Sequence, residues 1–306
     1  MEQIPDLNMR YKELVSVVIT THNRLRLLQR AVQSIYAQTY KDIELIVVDD
    51  ASDDGTQAWC EKEPFTYIHI SKDESRGGNY ARNLGIKASH GEYVSFLDDD
   101  DYWLPEKTEK QLGVMKMYDC DLVHAGRRLE IIQPDGSVRF QDLLPNPNHQ
   151  GDMSKKILTS ICTTTTVIFA RREALFDIGL FDENLRFWQE YELTIRLAQR
   201  KPFYFVNEVL AVYRVDENDS QRLTNKFYEW KNAVKYVYAK HRQFYSTLSL
   251  DEKLKVKQLY WYDGSIRARA AGLRGLSKLY FALVVITSPG RVFSKLKKAI
   301  YGKSSI

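Results

Sequence analysis

Residues 91–103 read Gly-Glu-Tyr-Val-Ser-Phe-Leu-Asp-Asp-Asp-Asp-Tyr-Trp. A short, largely apolar run over 93–97 passes straight into four carboxylates, Asp98, Asp99, Asp100 and Asp101. Such a run predicts a strand buried on both faces, as strands of parallel sheets are. Four carboxylates at a strand end repel one another unless a cation or solvent separates them. Two readings follow. One is a hard divalent cation held by carboxylate oxygens together with substrate phosphates. The other is an exposed acidic turn in which an aspartate caps the helix that begins near Pro105.

The chain N-terminal to this stretch repeats its pattern. Residues 15–20 (VSVVIT) and 43–48 (IELIVV) are further buried runs, and 67–70 predicts a third strand before the 93–97 run. Between them Leu25, Leu28, Ala31, Val32 and Ile35 recur at helical spacing, and 56–62 and 80–88 also read as helices. Strands alternating with helices predict βαβ units, hence an α/β, Rossmann-like, mostly parallel sheet flanked by helices. Ligands of such sheets sit outside the carboxyl ends of the strands. The second run ends in Asp49-Asp50, so its acidic end faces the same crevice as Asp98–Asp101. Carboxylates there either accept hydrogen bonds from a ribose or base edge, or form simple caps and Asx-turns. Beyond the acidic cluster, 105–118 predicts a helix, 121–132 a strand with a Pro134-Asp135-Gly136 turn, and 163–170 a β-rich segment. Helices are predicted over 172–178 and 190–199, and from about 225 onward the pattern is helical.

Composition narrows the class. The chain has 306 residues, 44% hydrophobic and 27% charged, ordinary globular composition for which disorder is not the default reading, and its length suits one large domain or one domain with an appendage. Cys60, Cys120 and Cys162 are odd in number and form no C-x-x-C pair, so a disulfide framework or zinc site is not expected. His69, His90, His124, His149 and His241 show no metal-ligand spacing. Met1 is followed by Glu2 and Asp6, with no signal-peptide pattern, and no run reaches membrane-spanning length. Charge is uneven: nine basic and no acidic residues follow Asp263, while the net charge is only +4, so the remainder is acidic. The front domain carries no nucleic-acid motif, and no nucleic-acid partner is expected.

Seven segments in order carry a resemblance: VSVVITTHNR (15–24), IVVDDASDDGT (46–56), RGGNYARNLGI (76–86), GEYVSFLDDDDYW (91–103), IGLFDEN (178–184), QEYELTIRLA (189–198) and VLAVYR (209–214). Over about residues 14–220 the chain resembles the family 2 glycosyltransferases, whose members share the GT-A fold. The resemblance implies a GT-A domain over 1–220 and leaves 221–306 as a basic, helical C-terminal extension. It implies inverting transfer of a hexosyl or N-acetylhexosaminyl group from a UDP-linked sugar to a glycan or lipid-linked acceptor, for a surface polysaccharide such as capsule or O-antigen. Position by position, Thr20 and His22 match the loop bordering the base, Asp50 the carboxylate contacting uracil or ribose, and Arg76 a segment near the base. Asp98, Asp99 and Asp100 cover the D-x-D element, with Asp100 as the direct ligand of Mn2+ or Mg2+ and Asp98 and Asp99 on the sugar nucleotide. Glu190 matches the catalytic base, where the family usually has Asp.

Three positions depart from the pattern: Gln189 where Glu is common, Asp216 where a His commonly follows the Tyr-Arg pair, and Thr20 where many members have Pro. Two other classes compete. A sugar nucleotidyltransferase would want a glycine-rich basic loop after the first strand, and Thr21-His22-Asn23-Arg24 has no glycine. A non-catalytic nucleotide-sugar-binding scaffold draws weight from Gln189-Glu190. Phe187 and Trp188 either stack on an acceptor sugar or pack in the core, and Arg82 and Asn83 read as fixing a loop–helix junction. In the tail, Leu276, Leu279, Tyr280, Leu283 and Val284 are expected on one helical face, and Phe293, Leu296, Ile300 and Tyr301 on a second. Basic residues surround both, the pattern of helices lying in the plane of an anionic membrane. The resulting expectation is a cytoplasmic enzyme, peripheral at the inner face of the cell membrane.

Overall fold

The computed structural model describes residues 11–219 and 226–288. It divides into two compact units, Met1–Ile157 with Ile161–Asn218, and Leu158–Ser160 with Asp219–Ile306. The first unit opens with three βα repeats and a fourth strand: β1 (Tyr11–Thr21), α1 (Leu25–Tyr36), β2 (Ile43–Asp50), α2 (Thr56–Cys60), β3 (Thr66–Ile70), α3 (Gly78–Ala88) and β4 (Gly91–Asp98). It continues through β5 (Tyr102–Trp103), α4 (Lys107–Met117), β6 (Leu122–Ile132), β7 (Val138–Leu143), β8 (Phe169–Arg171), α5 (Arg172–Asp177), α6 (Gln189–Ala198) and β9 (Phe203–Asp216).

One nine-stranded sheet runs β3-β2-β1-β4-β8-β6-β9-β5, with β7 added to β6. The first four strands are parallel, and β8 enters antiparallel between β4 and β6. Alternation along β1 builds both layers. Val15, Val17 and Ile19 join Leu28, Val32 and Met115 in one core. Val18 points the other way, toward α3, where Gly85 leaves no room for a side chain: a Cβ there would lie 2.3 Å from a Val18 methyl. This close approach draws α3 onto the strand, so its first turn reaches the carboxyl ends. Thr20 pairs with Val48 on one side and Asp98 on the other, and Thr21 with Asp49. The parallel register thereby sets Asp49, Asp50 and the acidic cluster side by side, as the alternation of strands and helices implies.

Some sequence expectations change. The segment 163–170 is not a strand throughout: Thr165–Val167 forms a 3-10 turn, and β8 begins only at Phe169. Four threonines in a row favour extended backbone, but here tertiary context overrides propensity. No aspartate of the acidic cluster caps α4; its N-cap position is Glu106, without a side-chain cap. Phe187 and Trp188 are both buried, with Trp188 edge-on to Tyr191 at 4.9 Å, which is core packing.

The second unit is helical: α7 (Phe227–Lys240), α8 (Arg242–Ser246), α9 (Leu250–Ala270) and α10 (Arg274–Thr287). Ser249 and Glu252 close a capping box on α9. Trp230 is fully buried, stacks on Tyr260 at 5.3 Å and donates its indole N–H to Asp263 at 2.7 Å. On α10, Tyr280 turns toward α9, its hydroxyl 3.0 Å from that of Tyr260, and is buried. Leu279, expected on the same face, points outward with Phe281 and Ile286. One residue is 100° of helix turn, enough to separate the two. Phe293, Leu296, Ile300 and Tyr301 lie outside the described residues. The three cysteines are free and buried.

Lys107 is completely buried, its Nζ 2.9 Å from Ser95 Oγ and 3.6 Å from the Trp103 ring centroid, with no carboxylate partner among the described residues. Burial holds its pKa well below the usual lysine range. The unfolded chain therefore binds this proton more readily, and stability rises with pH up to about 10.4, the unfolded lysine value. Lys107→Met lacks that dependence. Its melting temperature minus that of the parent is expected to be largest near neutral pH and to shrink as pH approaches about 10. A difference that stays constant with pH contradicts a neutral buried amine.

Candidate active site

Three loops meet at the carboxyl ends of β1, β2 and β4. The loops after β1 and β2 are laced together: Ser52 Oγ accepts from the Asn23 N–H at 2.8 Å, Asn23 Oδ1 from the Asp53 N–H at 2.7 Å, and Asp54 from the Leu25 N–H at 2.9 Å. Asn23 and Ala51 hold the left-handed backbone region, with φ of 53° and 62°. Such strain persists where the surroundings over-determine a loop, and it clusters at functional sites.

Asp49 and Asp50 separate cleanly. Asp49 is fully buried and structural: Oδ1 accepts from the Ser52 N–H at 3.0 Å, closing an Asx-turn, and Oδ2 from the Tyr67 hydroxyl at 2.8 Å. Asp50 faces the crevice, its backbone carbonyl 2.5 Å from His22 Nδ1. Its Oδ1 is buried without a hydrogen-bond partner. An unsatisfied buried acceptor is costly, and a ligand N–H or O–H would relieve it. Thr20 lines the end of β1 beside Asp98. Arg76 stays exposed before α3, its guanidinium 5.0 Å from the Tyr80 ring centroid.

The four aspartates also divide. Asp99 turns inward, its Oδ2 accepting from Thr21 Oγ1 at 2.8 Å and its Oδ1 from Arg24 at 3.1 Å. Burial raises its pKa to about 6, against the pull of Arg24. Asp101 is fully buried, with Oδ1 accepting from the Arg214 N–H at 2.9 Å and Oδ2 unpaired. Burial, then repulsion from Asp100 and Asp98, raises its pKa well above the usual range. Asp98 and Asp100 remain partly exposed. Arg82 holds Asp98 at 2.6 Å, and Arg24 holds Asp100 at 3.1 Å. Burial and Asp98 raise the Asp100 pKa as well. Negative charge in the cluster is thus under-compensated. Among the described residues, no group of three or more His, Cys, Asp or Glu could cage a metal alone. Asp98 and Asp100 instead fit a hard cation bound through one or two carboxylates plus phosphate oxygens.

Glu190 sits in the first turn of α6 and is partly exposed. Tyr213 on β9 connects it to the cluster. Burial raises the Tyr213 pKa, and the charges of Asp101, Asp98, Asp100 and Glu190 raise it further. One phenol therefore has the acidic cluster and Glu190 for neighbours. Arg82 makes a second connection from α3, donating to Asp98, to Gln189 Oε1 at 2.9 Å and to Asn79 Oδ1 at 3.3 Å. Asn79 donates to the carbonyls of Asp182 and Leu185, while Asn83 both donates to Phe181 O and accepts from the Phe181 N–H. Three polar side chains of one helix thus fix the 178–189 loop that starts α6.

Sequence reasoning treated Arg82 and Asn83 as a junction and assigned no role to Arg24, Arg127 or Tyr213. Arg24 and Tyr213 lie inside the seven segments, where a signal existed. Arg127 lies in a stretch without pattern. Two departures gain an explanation. Gln189 accepts from Arg82, a task an amide oxygen performs as a carboxylate does. Asp216 pairs with Arg214 at 2.8 Å.

A family model described as glycosyl transferase family 2 matches residues 16–178. An uncharacterised glycosyltransferase of Rickettsia typhi is 33% identical over 229 residues, spanning 72% of this chain and 70% of the relative. The putative teichuronic acid biosynthesis glycosyltransferase TuaG of Bacillus subtilis is 31% identical, spanning 74% of this chain and 88% of the relative. The match spans only 30% to 36% of three longer Rickettsia relatives, so nothing about those whole proteins transfers. Among solved structures, S. aureus TarS 1–349 in complex with UDP aligns with a TM-score of 0.52 and 17% identity, covering 89% of this chain and 88% of that one. The mannosyltransferase PcManGT of Pyrobaculum calidifontis, in complex with GDP-Man and Mn2+, aligns with 0.60 and 17%, covering 97% and 89%. At these identities the structures show the fold, a mixed α/β sheet with flanking helices of the GT-A kind.

Arg82 is the test of the geometry. Arg82→Met leaves Asp98 and Gln189 without their donor. We expect a loss of roughly 2 kcal/mol by denaturant midpoint, below the 3–5 of a fully buried pair because water reaches Asp98. An unchanged midpoint contradicts the bridging role.

Proposed function

The chain belongs to glycosyl transferase family 2, and from that membership we propose that it transfers a hexosyl or N-acetylhexosaminyl group, with inversion, from a UDP-linked sugar. The acceptor is a hydroxyl of a glycan or lipid-linked sugar in the synthesis of a cell-surface polysaccharide. The observation that supports this reading is that the buried phenol of Tyr213 feels the charges of both the aspartate cluster and Glu190. On this reading the leaving-group and acceptor machinery serve one cleft. The relative named for teichuronic acid biosynthesis supports the polymer class, and the UDP complex of TarS supports the nucleotide.

In the proposed reaction, Asp50 accepts from the uracil or ribose with its unpaired oxygen, and His22 and Thr20 border the base. Arg76 closes over the nucleotide from its exposed loop. Asp99 anchors the β1 loop beside the sugar nucleotide, and Asp98 stands at the donor sugar with Arg82 behind it. Asp100, with Asp98, would hold Mn2+ or Mg2+; the chemistry the ion supplies when bound is neutralisation of charge growing on the diphosphate. Glu190 takes the proton of the acceptor hydroxyl as its oxygen attacks the anomeric carbon. The bond from that carbon to the diphosphate breaks, UDP departs, and a single displacement inverts the configuration. Gln189 performing the task of the more common Glu weighs against a degenerate, non-catalytic scaffold.

The tail supports a membrane-surface location. No helix among the described residues is long and apolar enough to cross a membrane. On α10, however, Leu279 and Ile286, seven residues apart on one side of the helix, are exposed, as are Arg274 and Lys278. An apolar face rimmed by cations suits the plane of an anionic bilayer, at roughly 1 kcal/mol per basic residue near the surface.

Two measurements check these readings. UDP with Mn2+ is expected to raise the melting temperature of the parent but not of Asp100→Ala, since a ligand that binds only the folded state stabilises it. Glu190→Gln is expected to lower turnover by about 10² or more with that thermal shift intact. Near-normal turnover in Glu190→Gln removes it as the base. For the tail, sedimentation with phosphatidylglycerol vesicles is expected to fall with salt and with Ile286→Glu. Failure to sediment at low ionic strength contradicts the membrane reading.

A further inference from the structure

Strand β6 pairs irregularly with β9 on both sides of Gly126. Gly126 is hemmed in, because a Cβ there would lie 2.7 Å from the Glu208 carbonyl oxygen and 3.0 Å from that of Leu143. Irregularities of this kind re-aim the side chains that follow. Arg128 then points outward into a two-pronged pair with Asp142 at 2.6 Å and 2.9 Å. Arg127 points to the opposite side, the face that Tyr213 takes in the β6–β9 register, where Leu129 pairs with Tyr213; burial lowers its pKa and the charges of Tyr213, Glu190 and Asp101 oppose that.

Four other arginines around the cleft are engaged, while Arg76 lies exposed. Arg24 holds Asp99 and Asp100, Arg82 holds Asp98, Arg30 holds Glu130 and Arg214 holds Asp216, each within 3.1 Å. Arg127 makes no ion pair among the described residues, and its Nε is buried without a hydrogen-bond partner. A guanidinium remains charged at neutral pH even when partly desolvated, and its fork of donors matches two oxygens of a carboxylate or phosphate. Leaving such a cation unbonded is costly in the absence of an anion to complete it.

We propose that Arg127 binds an acidic group of the acceptor, a carboxylate or phosphate carried close to the hydroxyl that Glu190 deprotonates. The proposal rests on the assignment of Glu190 to the acceptor side. Its substance is a substrate class: sugars bearing an anion, in preference to neutral sugars of the same shape. Arg127 is a specificity-determining residue here, and takes no part in proton transfer.

The test is binding to the full-length protein saturated with UDP and Mn2+, by ligand-detected NMR. The probes are methyl glucuronide and glucose 6-phosphate as the anionic arms, and methyl glucoside as the neutral arm. The parent is expected to bind at least one anionic sugar about tenfold or more tighter than methyl glucoside, the scale of a charge-assisted hydrogen bond. The arm that shows the preference tells carboxylate from phosphate. Arg127→Gln is expected to abolish the preference, and Arg127→Lys to keep part of it. In both variants the UDP affinity is expected to be unchanged, and the melting temperature of Arg127→Gln equal to the parent's or higher, since an unpaired buried charge has been removed. Anionic and neutral sugars binding alike, including no binding of either, overturns the proposal. So does a preference that survives Arg127→Gln, a drop in melting temperature marking a structural cation, or weaker UDP binding marking a diphosphate contact. Failure of the parent to bind UDP at all is a different result, and it strikes the glycosyl-transfer reading.

Discussion

The site depends on one nearly buried cation. Arg82 reaches from α3 to Asp98 at the end of β4 and to Gln189 at the start of α6. These points lie far apart in sequence, on elements that share no strand pairing. Core packing holds the later turns of α6, and Arg82 ties its first residue, next to Glu190, to the aspartates. Asn79, about one turn before Arg82, and Asn83, the next residue, hold the 178–189 loop by its backbone. The bond geometry is demanding, since a planar guanidinium serving three acceptors admits little rotation. Catalytic groups act only when held within a narrow range of geometry, and this bridge supplies that restraint.

Around the bridge the structure concentrates negative charge where it is least comfortable. Burial raises the pKa of Asp99, Asp100 and Asp101, and arginines relieve the cluster only in part. The residual imbalance favours a cation and a phosphate-bearing ligand arriving together. Backbone strain follows the same map, with left-handed φ at Asn23, Ala51 and Trp188, the last directly before Gln189. Stability is spent on local conformation at the cleft, and the paired, apolar sheet beneath it absorbs the cost.

The parallel half of the fold was legible because strands buried on both faces appear as unbroken apolar runs, each ending at a recognisable turn. Asp50 and the aspartate cluster could be read as strand-end groups for the same reason. What the chain hid was partnership. Whether Asp49 or Asp50 was the free carboxylate depended on Tyr67 and Ser52, which periodicity does not place. Strand β9 was not marked out as an element, since Asn207 and Glu208 interrupt its apolar run, and β5 is two residues long. Arg127 gave no signal, because its neighbours come from β9 and α6. In the tail, helical spacing grouped Leu279 with Tyr280 on one face, but spacing does not give the angle at which α10 meets α9, which buries Tyr280 and leaves Leu279 exposed.

The central claim is that Asp50 and the aspartate cluster form one donor site, which Glu190 faces from the acceptor side. Anomalous scattering from crystals grown with UDP and Mn2+ tests it most directly. The account predicts one manganese peak at the Asp100 carboxylate, with uridine against Asp50 and the diphosphate between that metal and the Tyr213 side of the cleft. A manganese peak away from Asp100, or uridine bound away from Asp50, would contradict it.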